Sequence, residues 1–356
     1  MLHEHSAGNK AILSVSRTLA ILILLSTAGL IILGLFTFRM SDYTKVDGKG
    51  EDYKNYQSII ERIRSGESYY QAAHQELSNR GYPVESVFNW RLPWLGWLLG
   101  HMPNDRMGQT LAILLSSVAV LFWIHFAIKE WPLIQVAAGG LLASGLTIYA
   151  SLQEIYTMHE LWAGALIFIS LFAYGNGWKK LSWLSGTLAL FIRELALPFV
   201  VVMFLKALYE RQRQEVMAWG AGMLAFLGMF FIHAVETRNY MTSDNILRVQ
   251  HWADFNGWAF VLATLHTHPF LILLPSWITS VLVPLALLGL LAWRGPLGER
   301  LGLVVTVYMF LFLFVGKNFN AYWGFIYFGL LTLGLLRTHE AIISLIVAMG
   351  KDRGLA

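Results

Sequence analysis

"TLALFIRELALPFVVVMF", residues 187–204, is apolar except for one adjacent pair of opposite charges, Arg193 and Glu194, with Pro198 shortly after them. Its flanks are both basic: "WKK" at 178–180 and "KALYERQR" at 206–213. Lys and Arg accumulate in the cytoplasmic loops of membrane proteins, so both ends of the stretch belong on one side. Segment 181–208 supplies about 28 residues, about 42 Å of helix rise. That is too short for two full spans and long enough for a re-entrant hairpin of two half-helices. Pro198 lacks an N–H donor and disfavours helix at the residue before it, which puts the turn near 193–198. On one continuous helix Arg193 and Glu194 point about 100° apart and pair poorly. At a re-entrant tip they face an outer cavity, and the cost of an ionised residue in a bilayer, a few kcal/mol on insertion scales, falls. The competing reading is a buried ion pair with other helices that only fixes packing.

The whole chain has the same character. Of its 356 residues 56% are hydrophobic, 14% aromatic and only 13% charged, where a soluble domain has nearer a quarter charged. Too few polar residues remain to coat a water-facing surface. The expected fold is an all-α polytopic membrane protein in one domain, 1–356. The absence of cysteine excludes disulfides, cysteine zinc sites and thiol nucleophiles. A formal charge of +4 is small and points to no nucleic-acid partner. The first apolar run, "LAILILLSTAGLIILGLFTF" (19–38), has the length of a full span and no small-residue cleavage site.

A span needs about 20 apolar residues. Spans are expected near 18–38, 108–128, 133–151, 158–176, 216–234, 271–293, 301–316 and 322–336, about 8 besides the half-helix pair. Alternation then puts the N-terminus, with Lys10 and Arg17, in the cytoplasm and 39–107 outside. Lys129 turns inside, 152–157 outside and 178–180 inside. Residues 235–270 form a second long outer loop, "RGPLGER" (294–300) lies inside, "GKNFNAY" (316–322) outside, and a tail, 338–356, inside. The inner segments carry the positive excess, as the positive-inside rule requires. A single continuous span through 181–208 would invert this and put "ERQR" outside.

The first outer loop reads as two amphipathic helices at the membrane surface. Tyr56, Ile59, Ile60 and Ile63 share one helix face. Ser65-Gly66 breaks that helix, and "ESYYQAAHQELSNRG" gives the second, ending at Gly81. Glu51 and Asp52 stand where the first helix begins, a position that exposed N–H groups and the helix dipole favour for a carboxylate. The same position suits a general base that takes a proton from an acceptor hydroxyl. "FNWRLPWLGWLLG" (88–100) joins Arg91 and Pro93 to three tryptophans, an interfacial belt or a grip on a sugar or lipid phosphate. "QEIYTMHELW" (153–162) gathers Glu154, His159 and Glu160 at a span mouth. A divalent cation is one possible occupant, although the spacing is no metal motif, and hydrogen bonding to an acceptor or capping of the next span fits better. His266 and His268 read as interfacial. Arg193, Arg238, Arg248 and Lys317 fall on the same outer side, and arginine forks suit phosphate.

Taken in order, these segments resemble the GT-C superfamily of integral-membrane glycosyltransferases, nearest to the bacterial members that use polyprenyl-phosphate sugars. The similarity is carried by "EDYKNY" after the first span, then "SGESYY", then "WRLPWLGWLLG" on the approach to span two. "LSGTLALFIRELALPFVVVMFLKAL" is similar to the charge-bearing half-helix pair, and "NFNAYWGFIYFGLLTLGLL" to the aromatic return to the last span. Together they cover most of the chain loosely, with order and topology carrying the weight. The resemblance implies an inverting transferase in a bacterial inner membrane, both termini cytoplasmic. It would pass a sugar from a polyprenyl-phosphate donor to a lipid, glycan or protein hydroxyl on the extracytoplasmic face. It implies Asp52 as the base, with Asp42 in reserve. It implies Arg193, Arg238, Lys317 and Arg91 for the donor phosphate. Glu51, Tyr56, Tyr70, Trp90, His159, Glu160 and Glu194 are implied for the sugar or acceptor. It assigns no metal ligands and leaves a divalent cation open. The rival readings are a transporter or flippase for polyprenyl-linked glycans, whose broken helices usually come as paired repeats, and a non-catalytic scaffold of a glycan-assembly system.

Overall fold

Ion pairs at one end of a helical bundle, and a layer of short helices at the other, organise this chain. The computed structural model describes residues 15–44, 52–241 and 255–350, which form helices and no strand. Glu51 and Arg248 lie outside the described residues.

Among the described residues, four helices are long and apolar enough to cross a membrane. They are α1 (Arg17–Thr37), α6 (Asp105–Ala127), the pair α7 (Leu133–Ala143) and α8 (Gly145–Ala150), and α12 (Arg213–Arg238). Between α1 and α6 lie α2 (Ser41–Thr44), α3 (Asp52–Arg64), α4 (Tyr69–Asn79) and α5 (Pro93–Gly100). The remaining helices are α9 (His159–Gly175), α10 (Lys179–Ile192), α11 (Leu197–Tyr209), α13 (Gly257–His266), α14 (Ser276–Ala292), α15 (Pro296–Phe312), α16 (Phe328–Thr332) and α17 (Leu335–Gly350).

Segment 181–208 is two helices folded back on each other. Chain geometry changes at Arg193, whose φ of −149° and ψ of 120° are extended, and a 3-10 turn, Glu194–Ala196, leads into α11. Pro198 sits in the first turn of α11, where its missing N–H costs nothing. Both open ends of the hairpin meet one charge network. Lys179 pairs with Glu215 at 2.8 Å, and Arg300 grips both oxygens of Glu210 at 3.0 and 2.6 Å while lying 3.9 Å from Glu215. At the other end Tyr308 donates to the Leu195 carbonyl at 2.8 Å, pinning the tip to α15. Helix α10 runs antiparallel to α9, with Ser170 beside Ser182 and Glu160 beside Arg193.

The short loop helices form a second layer. Tyr56, Ile59, Ile60 and Ile63 of α3 are all buried. Gly66, at φ +103°, makes the turn into α4 in a region only glycine enters freely, and Ser68 caps α4 by accepting from the Gln71 N–H. Arg62 ties the two helices by bonds to Glu67 (2.9 Å) and Glu76 (2.6 Å).

Several expected elements differ from those observed. The expected 133–151 span is present as Leu133–Ala150, two helical segments meeting at Ser144, and His268 donates to the Leu142 carbonyl at 3.0 Å just before that junction. Residues 257–266 are not part of an interfacial loop. Helix α13 is packed inside the bundle, and His266 and His268 are buried rather than interfacial. The 322–336 segment is not one helix. It is a 3-10 stretch, Asn318–Ile326, followed by the short α16. Close approach dictates this path: a Cβ on Gly164 would meet the Phe325 carbonyl, and one on Gly324 the Thr264 carbonyl. Residues 338–350 of the expected tail are helical. They belong to α17, which packs Ala341 and Leu345 against Ala20, Leu288 and Ala292.

Candidate functional site

Asp52 is the first residue of α3, and only 7% of it is exposed. The Tyr82 hydroxyl donates to its Oδ1 at 2.7 Å, and the Tyr322 hydroxyl donates to its Oδ2. Tyr322 comes from the 3-10 stretch, which Asn320 stiffens by accepting from the Lys317 N–H at 3.0 Å. Two segments far apart in the chain therefore fix one carboxylate. Burial first, and the Asp52 charge second, push the Tyr82 phenol far above its ordinary value, so it stays a donor at neutral pH.

One turn along α3, Tyr56 accepts from Arg91 Nε at 2.7 Å, and its ring meets the His159 ring edge-on at 4.9 Å. Burial raises the Tyr56 phenol well above the usual range, with Arg91 opposing and Asp52 and Glu160 adding to the rise. Arg91 also donates to the Phe88 carbonyl at 3.2 Å, and its own carbonyl accepts from the Tyr69 hydroxyl. No carboxylate forms an ion pair with Arg91 among the described residues.

Beside this lies a trio of charges. Arg193 donates from Nε to Glu160 at 2.8 Å and from Nη1 to Glu194. Arg193 and Glu194 do pair, at the hairpin tip where the chain leaves the α-helix, so the limit expected for one continuous helix does not apply. The Arg193 guanidinium also sits 5.9 Å from the Trp323 ring centre. With two carboxylates bound, its charge is already met, which weakens its expected role in holding a phosphate.

The structure thus brings together Asp52, Tyr56, Arg91, His159, Glu160, Arg193 and Glu194. Asp42 is exposed on α2, beside the 3-10 stretch, and is bonded by Ser41 at 3.3 Å. Arg238 is exposed at the last residue of α12. Lys317 is half-buried just ahead of the stretch that delivers Tyr322. Tyr70 and Trp90 join a different group, with Tyr70 bonded to His233 at 3.1 Å and Trp90 stacked on His74. Glu154 is exposed, away from buried His159 and Glu160. Among the described residues no three of His, Asp and Glu group as a metal site would.

Sequence reasoning missed Tyr82 and Tyr322, and also Asn55 and Thr157. Tyr82 follows the α4 terminator in "GYP", and Tyr322 lies in the short polar run "NFNAYW" between apolar segments. Polar aromatics at such breaks were the available signal. A cavity of about 20 Å³ lies between α3, α5 and the start of α9, bordered by Tyr56, Arg91 and His159. Chemically, the arrangement offers a carboxylate fixed by two phenols, an arginine with no acidic ion-pair partner among the described residues, and beside that arginine a small cavity walled mostly by apolar side chains such as Ile59, Ile60 and Leu95. Comparison of the chain with protein-family models, with curated proteins and with solved structures finds no match.

Proposed function

We propose that the chain is an inverting membrane glycosyltransferase, moving a sugar from a polyprenyl-phosphate donor to a hydroxyl of a lipid, glycan or protein. The observation that carries this reading is Asp52: a buried carboxylate, oriented by two phenols, one helix turn from Tyr56, whose hydroxyl accepts from Arg91, a cation with no acidic ion-pair partner among the described residues. In this reading Asp52 takes the proton of the acceptor hydroxyl. The acceptor oxygen bonds to the anomeric carbon as the bond from that carbon to the phosphate oxygen breaks. The electron pair leaves with the phosphate, whose charge Arg91 stabilises in a site shielded from water. Arg193, Glu160 and Glu194 position the hairpin tip beneath this centre.

The membrane arrangement belongs to the same proposal: about 8 full spans with α10 and α11 as a re-entrant pair. The clustering of Lys179, Lys206, Glu210, Glu215, Glu299 and Arg300 supports placing both hairpin ends at one surface, the cytoplasmic one. Asp52 and its neighbours then face the extracytoplasmic side.

The test is a transfer assay with protein purified in detergent. A panel of polyprenyl-phosphate hexoses and pentoses is supplied, and release of polyprenyl phosphate is followed for wild type and Asp52→Asn. Release by wild type with one donor, lost in the variant, is the expected result. Donor binding without turnover points to a missing acceptor. No binding of any donor would sink the proposal and favour a transporter or scaffold.

A further inference from the structure

We infer that the cavity one helical turn along α3 from Asp52 is a subsite for the hydroxyl edge of a sugar, held by Asn55, Thr157 and His159. The argument starts from polar atoms left without partners. Asn55 Oδ1, Thr157 Oγ1 and both ring nitrogens of His159 are buried and make no hydrogen bond. The three residues are 2%, 0% and 3% exposed, and all three border the same cavity as Arg91. Buried polar groups nearly always have a partner, and an orphan is costly. Several orphans on one cavity mark a place built for something that supplies the missing bonds.

The donor and acceptor inventory narrows what that is. Asn55 Oδ1 only accepts, a neutral imidazole offers one donor and one acceptor, and the Thr157 hydroxyl does both. An anion would face the Asn55 carbonyl oxygen, and a cation would face Arg91. An apolar group would satisfy none of them. Hydroxyls, which each donate and accept, match the mixed set. A volume of about 20 Å³ is on the order of a single water, so one or two hydroxyls at the rim of a ring fit, not a whole ring. Asn55 follows Asp52 by three residues, about 4.5 Å of rise on the same helix face. A sugar whose edge lies here has its other hydroxyls within reach of the carboxylate. The ligand class rests on the transferase reading, while the orphan atoms do not.

The experiment uses the full chain in lipid nanodiscs, with methyl hexosides, methyl pentosides and farnesyl phosphate as probes. Dissociation constants are measured for wild type, Asn55→Leu, Thr157→Val and Thr157→Ser. At least one methyl glycoside should bind wild type, about tenfold more weakly to Asn55→Leu and Thr157→Val, and unchanged to Thr157→Ser. Farnesyl phosphate affinity should stay within about twofold in all of them, because the lipid phosphate answers to Arg91. Replacing an unpartnered polar atom by an apolar one should leave Tm of the ligand-free protein equal or higher. The inference is overturned if wild type binds no methyl glycoside, meaning that the cavity holds water only. Undiminished glycoside affinity in both apolar variants also overturns it, as does a loss that Thr157→Ser shares. Glycoside binding lost in the variants of a protein that never cleaves a donor would keep the subsite and remove the transferase reading. Donor cleavage untouched by both apolar variants would do the reverse.

Discussion

The Tyr322 hydroxyl donates to the carboxylate of Asp52, joining residues 270 positions apart. That bond closes the loop layer onto the bundle. Together with Tyr82 it turns a helix-start aspartate into a fixed group. A hydrogen bond to a charged partner contributes about 1.5–3 kcal/mol. Tyr322→Phe and Tyr82→Phe should therefore each lower kcat about tenfold with little change in KM. Asp52→Asn should cost about 10²- to 10⁴-fold, the range for a lost general base. Steady-state transfer rates decide it, and a double phenylalanine variant at full rate would remove the tyrosines from any positioning role.

Arg193 and Glu160 form a pair with almost no solvent contact. Removing one partner of such a pair costs about 3–5 kcal/mol, because the other is left buried and uncompensated. Arg193→Met, which strands Glu160 and Glu194, should lower the unfolding midpoint sharply. Combining it with Glu160→Met should be milder than Arg193→Met alone, since charges in one network do not add. Thermal unfolding in detergent measures both, and a double variant less stable than Arg193→Met would contradict the pairing.

The 3-10 stretch that carries Tyr322 lies so close to its neighbours that Gly324 and Gly164 admit no Cβ without backbone movement. Overpacking of this kind costs about 1–3 kcal/mol or more. Gly324→Ala should also displace Tyr322 from Asp52 and reduce transfer beyond what the stability loss explains. Gly289→Ala serves as the control, since its new methyl meets the Gly334 carbonyl, away from the site. It should destabilise and leave the rate of the folded fraction unchanged. Equal rates in the two alanine variants would count against the proposed role of the 3-10 stretch.

The loop layer should resist alkali more than free tyrosine does. Burial pushes Tyr70 up to about 12 and holds Tyr56, Tyr69 and Tyr82 further above the ordinary phenol range. A phenol whose folded value lies above its unfolded one contributes stability that is intact below about pH 10 and is lost as pH rises through the folded value. Phenolate absorbance should rise only for exposed tyrosines until the loop layer unfolds, and these four should then ionise together. Smooth titration of all 14 tyrosines near pH 10 would show that the layer does not protect them.

Helix breaks and buried faces could be read locally, because periodicity and breakers act over a few residues. Ile59 and Ile63 lie three and seven positions after Tyr56, and Pro198 lies near the hairpin turn. The contact of His268 with the Leu142 carbonyl, 126 positions away, gave no such sign. The 322–336 stretch looked like a span by hydropathy alone, and the glycines that press it against α9 and α13 gave it a tighter path.

By itself, the sequence determined an apolar helical chain without cysteine, the two-helix hairpin at 181–208, and the amphipathic pair before α6, because length, hydropathy and breakers are local properties. Tertiary structure alone decided which charges and hydroxyls meet. It placed Glu160 on Arg193 across 33 residues and Tyr322 on Asp52 across 270, and it left Asp42 and Arg238 exposed. Those choices follow from the packing of close-approaching helices around buried polar groups. Most buried polar groups take a partner wherever the fold presents one.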